Sequence, residues 1–456
     1  MVMSAEQPFI SVAMMVKNEE AFLDDALASA KAWADEIVIV DTGSTDKTVE
    51  IAKAHGAKLS YFEWCNDFSA ARNETLRCAS GQWIIILDAD ERLQGPDPDA
   101  LRAYLKGLPS GYPFNVVTLK VVNTTTKGEI QSELDGIRII PNDKRLGYKN
   151  RVHHLFGSLD EKFSQIDRHH FDGLQIIHLG YDPEVYKARK KGERSLPLIE
   201  MMVAENPHDP LYKYYLGREL CSLKRFDEAS GHLQEAHNEL GKNESADKDL
   251  VFDIAWFLIR AMVSAQEPPE NTLKIAHDVV AKIPNKPDLW YLIAYLLIDM
   301  DQKPEALQCF ERTLGLMDTD VSAKEKIGIS HIETRRAEIY QKIGELAADT
   351  NDMNKAYGAF VQGIEHVPPE QPEQRLELVN CACGIAIDLG DIANLPVLME
   401  LLLQIDGAPL DLFFMGLEAI SKTNGRATAV DFIKQAKAAY PHLAAHPKTI
   451  AWSIQL

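Results

Sequence analysis

The feature that most limits what this chain can fold into is a change of hydrophobic period part-way along it. Up to about Asp182-Pro183, short runs rich in Val and Ile alternate with helical stretches, whereas beyond Tyr186 almost everything repeats with the period of an α-helix. Ile10–Val16, Glu36–Val40 and Trp83–Leu87 read as strands buried on both faces, with helices over Glu19–Ala34, Asp46–His55 and Ala70–Ala79. Such alternation predicts a parallel sheet of right-handed crossover units that binds its ligands at the carboxyl ends of the strands. The expected organisation is an α/β domain over residues 8–182 and an all-α domain over 183–456.

The helical part repeats itself. Gly217, Leu220, Ala229, Leu233 and Ala236 follow the spacing of tetratricopeptide positions 8, 11, 20, 24 and 27. Trp290, Ala294, Leu297, Ala306 and Phe310 repeat it. Ala337, Tyr340, Ala356, Phe360 and Gly363 fit a third copy if seven residues are inserted between its helices. Small residues at positions 8 and 20 let paired helices approach, which predicts a tetratricopeptide-like solenoid. Phe252–Ile283 and Arg375–Gln404 read as degenerate helix pairs and Leu410–Tyr440 as a terminal cap. The competing expectation is an irregular helical domain without a groove.

Charge and cysteine usage narrow the partners. Lys+Arg 48 against Asp+Glu 68 leave a net charge of −20, with 19 basic against 27 acidic residues before residue 183 and 29 against 41 after it. Neither part suits nucleic acid or an anionic membrane. Six cysteines without a CxxC pair read as reduced thiols of a cytoplasmic protein, Cys381 and Cys383 as helix packing. Ile10–Val16 is too short to span a bilayer and reads as a first strand, not a signal peptide.

Chemistry concentrates at the strand ends. The first strand runs into Lys17-Asn18-Glu19-Glu20, the second into Asp41-Thr42-Gly43-Ser44-Thr45-Asp46, the third into Asp88-Ala89-Asp90. Gly43 permits a tight turn and Asp46 reads as a cap for the following helix. Two carboxylates one residue apart can reach one divalent cation. Together with Ala71-Arg72-Asn73, this ordered set resembles the family 2 glycosyltransferases of the GT-A fold. Phe62-Glu63-Trp64, Asp67-Phe68-Ser69 and the trailing repeats are similar to the bacterial branch that includes peptide S-glycosyltransferases of the sublancin type.

The resemblance implies a GT-A nucleotide-diphospho-sugar transferase domain followed by the solenoid, and an inverting hexosyltransferase using a UDP-sugar with Mn²⁺ or Mg²⁺. A doubly charged ion would offset the departing diphosphate in so acidic a chain. Asp90 is the implied metal ligand, and Asp88 contacts the ribose or, through water, the metal. Asp41 faces uracil and ribose, Asn18 and Glu19 line the same pocket, and Arg72 is the candidate for the diphosphate. His178, in a late His-x-Gly-Tyr, is the candidate third ligand, with a structural histidine as the other reading. The relatives carry His-Glu where this chain has His153-His154, so the base is open between His154, His153 and Asp135. Lys17 can be a nucleotide contact or simply solvated, and His169-His170 reads as a polar loop. The acceptor expected is a peptide or protein side chain presented by the repeats, with a surface glycan, or a non-catalytic scaffold, as alternatives. Trp452 could close a homodimer or cap the solenoid.

Overall fold

A computed structural model describes residues 7–180, 191–242, 246–319, 330–405 and 408–454. The chain forms two compact units, Met1–Lys224 and Arg225–Leu456. The expected boundary at Asp182-Pro183 lies outside the described residues, and the helices Lys191–Glu205 and Pro210–Ser222 group with the first unit.

The first unit is organised by an eight-stranded sheet of order β3-β2-β1-β4-β7-β6-β10-β5. Its strands are β1 (Ile10–Val16), β2 (Glu36–Asp41), β3 (Lys58–Tyr61), β4 (Trp83–Ile86), β5 (Glu91–Gln94), β6 (Phe114–Thr124), β7 (Ile130–Pro141) and β10 (Ile166–His178). A separate ribbon pairs β8 (Leu146–Lys149) with β9 (Leu155–Ser158). Four helices pack among them, α1 (Leu23–Ala30), α2 (Thr48–Ala54), α3 (Phe68–Cys78) and α4 (Pro98–Gly107). Successive β4 residues alternate between two cores. Trp83 and Ile85 join the cluster of Leu23, Leu27 and Leu101, while Ile84 and Ile86 join that of Val38, Val116 and Tyr148. Period-two burial on both faces is why this strand is a continuous apolar run.

The expected parallel sheet holds for β3-β2-β1-β4 and for the β6–β10 pair. β7 runs antiparallel to both β4 and β6. Residues 125–129 make a tight connection between β6 and β7, with Thr125 N–H bonded to the Glu129 carbonyl at 2.9 Å, and a connection that short joins only antiparallel strands. The first helix is also shorter than Glu19–Ala34. Asn18 is left-handed (φ 53°) and Glu20 spends its N–H on Asp46 Oδ2 (3.1 Å) and its Oε2 on Lys47 N–H (3.0 Å), so helical bonding begins only at Leu23.

The second unit consists of antiparallel helix pairs. Pro287–Asp299 pairs with Lys303–Met317, burying Ala294, Leu297, Ala306 and Phe310. Arg336–Asp349 pairs with Met353–His366, and only residues 350–352 separate them. The seven-residue insertion is therefore absent. Gly344, not Ala337, occupies the close-approach position: a Cβ there would lie 2.7 Å from the Phe360 ring. Gly344 and Ala356 are separated as Ala294 and Ala306 are, and Ala337 lies two turns earlier on the same face, which is why it mimicked the pattern. The degenerate pairs appear as Lys248–Ser264 with Pro269–Lys282, and Pro372–Leu389 with Leu395–Leu403. Cys383 is fully buried in the C-terminal core, where burial pushes its thiol up to about 12; it is a packing residue. Trp452 packs half-buried against the same cluster. Among the described residues no helix is long and apolar enough to cross a membrane.

Candidate active site

Parallel register brings three strand ends to one edge. Val16 lies beside Asp41 in the β1–β2 pairing and Ala13 beside Ile86 in β1–β4, so Asn18, Asp41 and Asp88 all leave the sheet at the same end. In the two loops after β1 and β2 the polar groups bind each other. Asp41 is buried and accepts N–H bonds from Gly43 (3.0 Å) and Ser44 (3.0 Å). Asn18 Oδ1 accepts from Thr45 N–H at 2.8 Å, and Glu19 N–H donates to Thr48 Oγ1 at 2.8 Å. Asp46 accepts from the N–H and hydroxyl of Thr48, the capping role expected of it. These bonds shape a rigid polar shelf, with Asp41 supporting the turn as well as lining it. Lys17 is exposed beside it.

The acidic centre is built by four elements. Asp67 caps α3 by accepting from Ala70 N–H (2.9 Å), and that helix delivers Arg72 beneath the end of β4. Arg72 is buried and donates through Nη2 to Asp88 Oδ1, while its Nε and Nη1 are buried without a partner among the described residues. Arg72, the candidate for the diphosphate, lies in this structure under the Asp88 carboxylate. Burial alone would raise the pKa of Asp88, but Arg72 and Arg138 hold it well below the usual carboxylate range. Glu91 is fully buried, pairs with Arg138 Nη2 at 2.6 Å and accepts from Asp88 N–H at 2.9 Å; burial and the Asp88 charge push it upward despite Arg138.

Antiparallel pairing of β5 with β10 sets Glu91 opposite His178, and Leu179 N–H bonds to the Asp90 carbonyl at 3.0 Å. Asp90 Oδ2 and His178 Nε2 thereby stand 3.5 Å apart. The other ring nitrogen, Nδ1, is 2.7 Å from Asn123 Oδ1, and the Asn123 amide nitrogen donates to Ser132 Oγ at 2.8 Å. With the amide so oriented, Nδ1 donates to Asn123 and Nε2 is the ring atom that faces the carboxylate. Two electron-pair donors facing one another favour a cation between them. A Cβ on Gly180 would lie 2.5 Å from both atoms, so glycine leaves that space open. A carboxylate oxygen and an imidazole nitrogen fit Mn²⁺ or Mg²⁺ completed by phosphate oxygens and water. Asp88 is turned to Arg72, and among the described residues no three His, Cys, Asp or Glu side chains converge as a metal site.

The three base candidates separate. His154 is exposed, 5.0 Å from the Tyr148 ring. His153 turns away, its ring 4.6 Å from Tyr215. Asp135 is exposed on β7, 3.8 Å from His170, at the Lys120 level of the β6–β7 pairing, whereas Asn123 pairs with Ser132. Three residues of strand, about 10 Å, separate those levels, so Asp135 stands outside the group. His169 binds Asn115 and His170 binds Asp172, away from Asp90. Sequence reasoning missed Glu91, Arg138 and Asn123. A charged residue inside the apolar run Ile137-Arg138-Ile139-Ile140 was the available signal for Arg138.

Residues 11–150 match the description Glycosyl transferase family 2. The first unit carries a family 2 glycosyltransferase domain. Over 418 residues the chain is 26% identical to a TPR repeat-containing protein of Synechococcus elongatus, covering 85% of this chain and 100% of that one. It is 27% identical over 310 residues to the SPbeta prophage-derived glycosyltransferase SunS of Bacillus subtilis, 66% of this chain and 70% of that one. The C-terminal part of a TPR repeat-containing protein from Cytophaga hutchinsonii matches at 14% identity over 59% of this chain and 97% of that one, with a TM-score of 0.38. The family match and the glycosyltransferase relative make the chain a glycosyltransferase, and its own helix pairs, not that structural match, make the region after the sheet tetratricopeptide-like, as its motifs led one to expect.

Proposed function

We propose that this glycosyltransferase moves a hexose from a UDP-sugar to a peptide or protein side chain, with inversion, using Mn²⁺ or Mg²⁺ held by Asp90 and His178. The observation that carries the reading is the facing pair of electron-pair donors beside Gly180, set at the strand ends where nucleotides bind in such sheets. A bound cation supplies Lewis-acid stabilisation of the departing diphosphate. The shelf of Asn18, Glu19 and Asp41 receives the nucleoside. Asp88, kept ionised by Arg72 and Arg138, accepts hydrogen bonds from the ribose or from metal-bound water. His154 is the group of the three that we assign to take the acceptor proton, since it is exposed on the loop beside Tyr148. Stacked helix pairs form extended surfaces suited to a polypeptide, which is the reason to favour a peptide acceptor.

The test is calorimetric titration of the full chain with UDP, with and without Mn²⁺, followed by a panel of UDP-hexoses read by released UDP. Metal should tighten UDP binding, and Asp90→Asn should remove about 10–100-fold of that gain. UDP affinity indifferent to Mn²⁺, together with no turnover of any UDP-hexose, would leave only a nucleotide-binding scaffold.

A further inference from the structure

The loop that carries His153 and His154 takes an unusual shape. Asn150 (φ 76°) and His153 (φ 50°) are both left-handed, a region uncommon for non-glycine residues though Asn and His enter it more readily than most, and here contacts hold both in it. Those contacts come from two directions. From α3, Phe68 N–H donates to the Arg151 carbonyl at 2.8 Å, and Ser69 Oγ donates to the carbonyls of Lys149 (2.9 Å) and Asn150 (2.5 Å). From the helices that follow the sheet, Tyr212 Oη donates to Asn150 Oδ1 at 2.8 Å and Glu205 pairs with Arg151 at 2.5 Å. Tyr215 lies against the His153 ring, and Arg218 Nη2 sits 3.3 and 3.4 Å from its two nitrogens. Helix Pro210–Ser222 thus touches both left-handed residues, and it belongs to the same compact unit as the sheet.

We infer that Tyr212, Tyr215 and Arg218 are positioning residues: by clamping Asn150 and His153 they fix the loop from which the exposed His154 projects. The helix that opens the repeat pattern is then a structural part of the active site before it is part of any acceptor surface. The catalytic consequence rests on His154 being the base, so the test separates the two ideas.

Hydrogen exchange is measured in the full-length protein, on a peptide spanning residues 149–154, for wild type, Tyr212→Phe, Arg218→Ala and Arg218→Lys. The expected result is exchange at least tenfold faster in this segment for Tyr212→Phe and Arg218→Ala, with the amides of β1 and β4 unchanged. The turnover of the UDP-hexose selected by the panel should fall about tenfold with its KM held within twofold, and Arg218→Lys should recover part of both losses. Unchanged exchange in the segment overturns the inference whatever turnover does. Faster exchange with unaltered turnover supports the clamp and removes His154 from the role of base.

Discussion

Two clusters in this molecule are made from the same materials, a half-buried acid against arginine, and are completed to different degrees. In the second unit, Glu338 accepts from the hydroxyls of Tyr291 and Tyr295, both at 2.6 Å, and pairs with Arg335 at 3.0 Å, which in turn reaches Tyr291 Oη at 3.1 Å. Helix Pro287–Asp299 is tied by it to helix Arg336–Asp349. In the first unit, Arg72 binds Asp88 yet leaves two nitrogens buried without partners among the described residues, and His178 turns a nitrogen to a carboxylate. Closed networks stabilise, whereas a buried polar group left open marks a place where something else must bind or where strain is retained for function.

That contrast can be broken most sharply at Gly180. Gly180→Ala sets a methyl group against Asp90 and His178 and forces them apart, so Mn²⁺-dependent UDP affinity should fall about 100-fold in a protein that still melts cooperatively. Calorimetry and melting on the same sample decide it; an unchanged affinity would deny the donors their proposed role. Arg72→Met should cost about tenfold in UDP release, because Asp88 loses the closer of its two guanidinium partners. Arg335→Met, its counterpart in the closed cluster, should leave UDP release untouched. If both variants impair turnover equally, the distinction between the clusters is void.

The closed cluster should instead answer to denaturant and pH. Glu338→Gln should destabilise the protein by about 1–3 kcal/mol at neutral pH, read from urea midpoints. Burial opposes ionisation of Glu338, but the two tyrosine hydroxyls and Arg335 prevail and hold its pKa below the usual carboxylate value. A depressed folded pKa stabilises above the unfolded value of about 4.3 and ceases to do so as pH falls through the folded one. The gap between wild type and Glu338→Gln should therefore close on acidification below about pH 4; a gap that widened there would reverse the sign of the argument. Tyr295→Phe should show the smallest loss, about 0.5–1.5 kcal/mol, since Tyr291 continues to donate to Glu338.

Legibility differed between the same two regions. Strands β1, β2 and β4 could be read from their Val and Ile runs because burial on both faces leaves Ser11 as the one polar residue inside them. The acids at their ends could be read because a polar residue directly after such a run has to lie at the sheet edge. Strands β6 and β10 escaped notice because Lys120 and His169-His170 interrupt their apolar pattern, and those residues lie where the ribbon is exposed or half-buried. In the third repeat, Ala337 was mistaken for Gly344 because both lie on one helix face, and only the packing of Phe360 distinguishes them.

Local order therefore determined the class of each region, the strand-end acids and the spacing of the paired helices, since these depend on neighbours a few residues apart. What tertiary structure alone decided is the pairing of Asp90 with His178, the placing of Arg72 under Asp88, and the separation of His154 from His153 and Asp135. Those depend on strand register and on contacts between residues up to 88 positions apart along the chain, and one step of register sends a side chain to the opposite face.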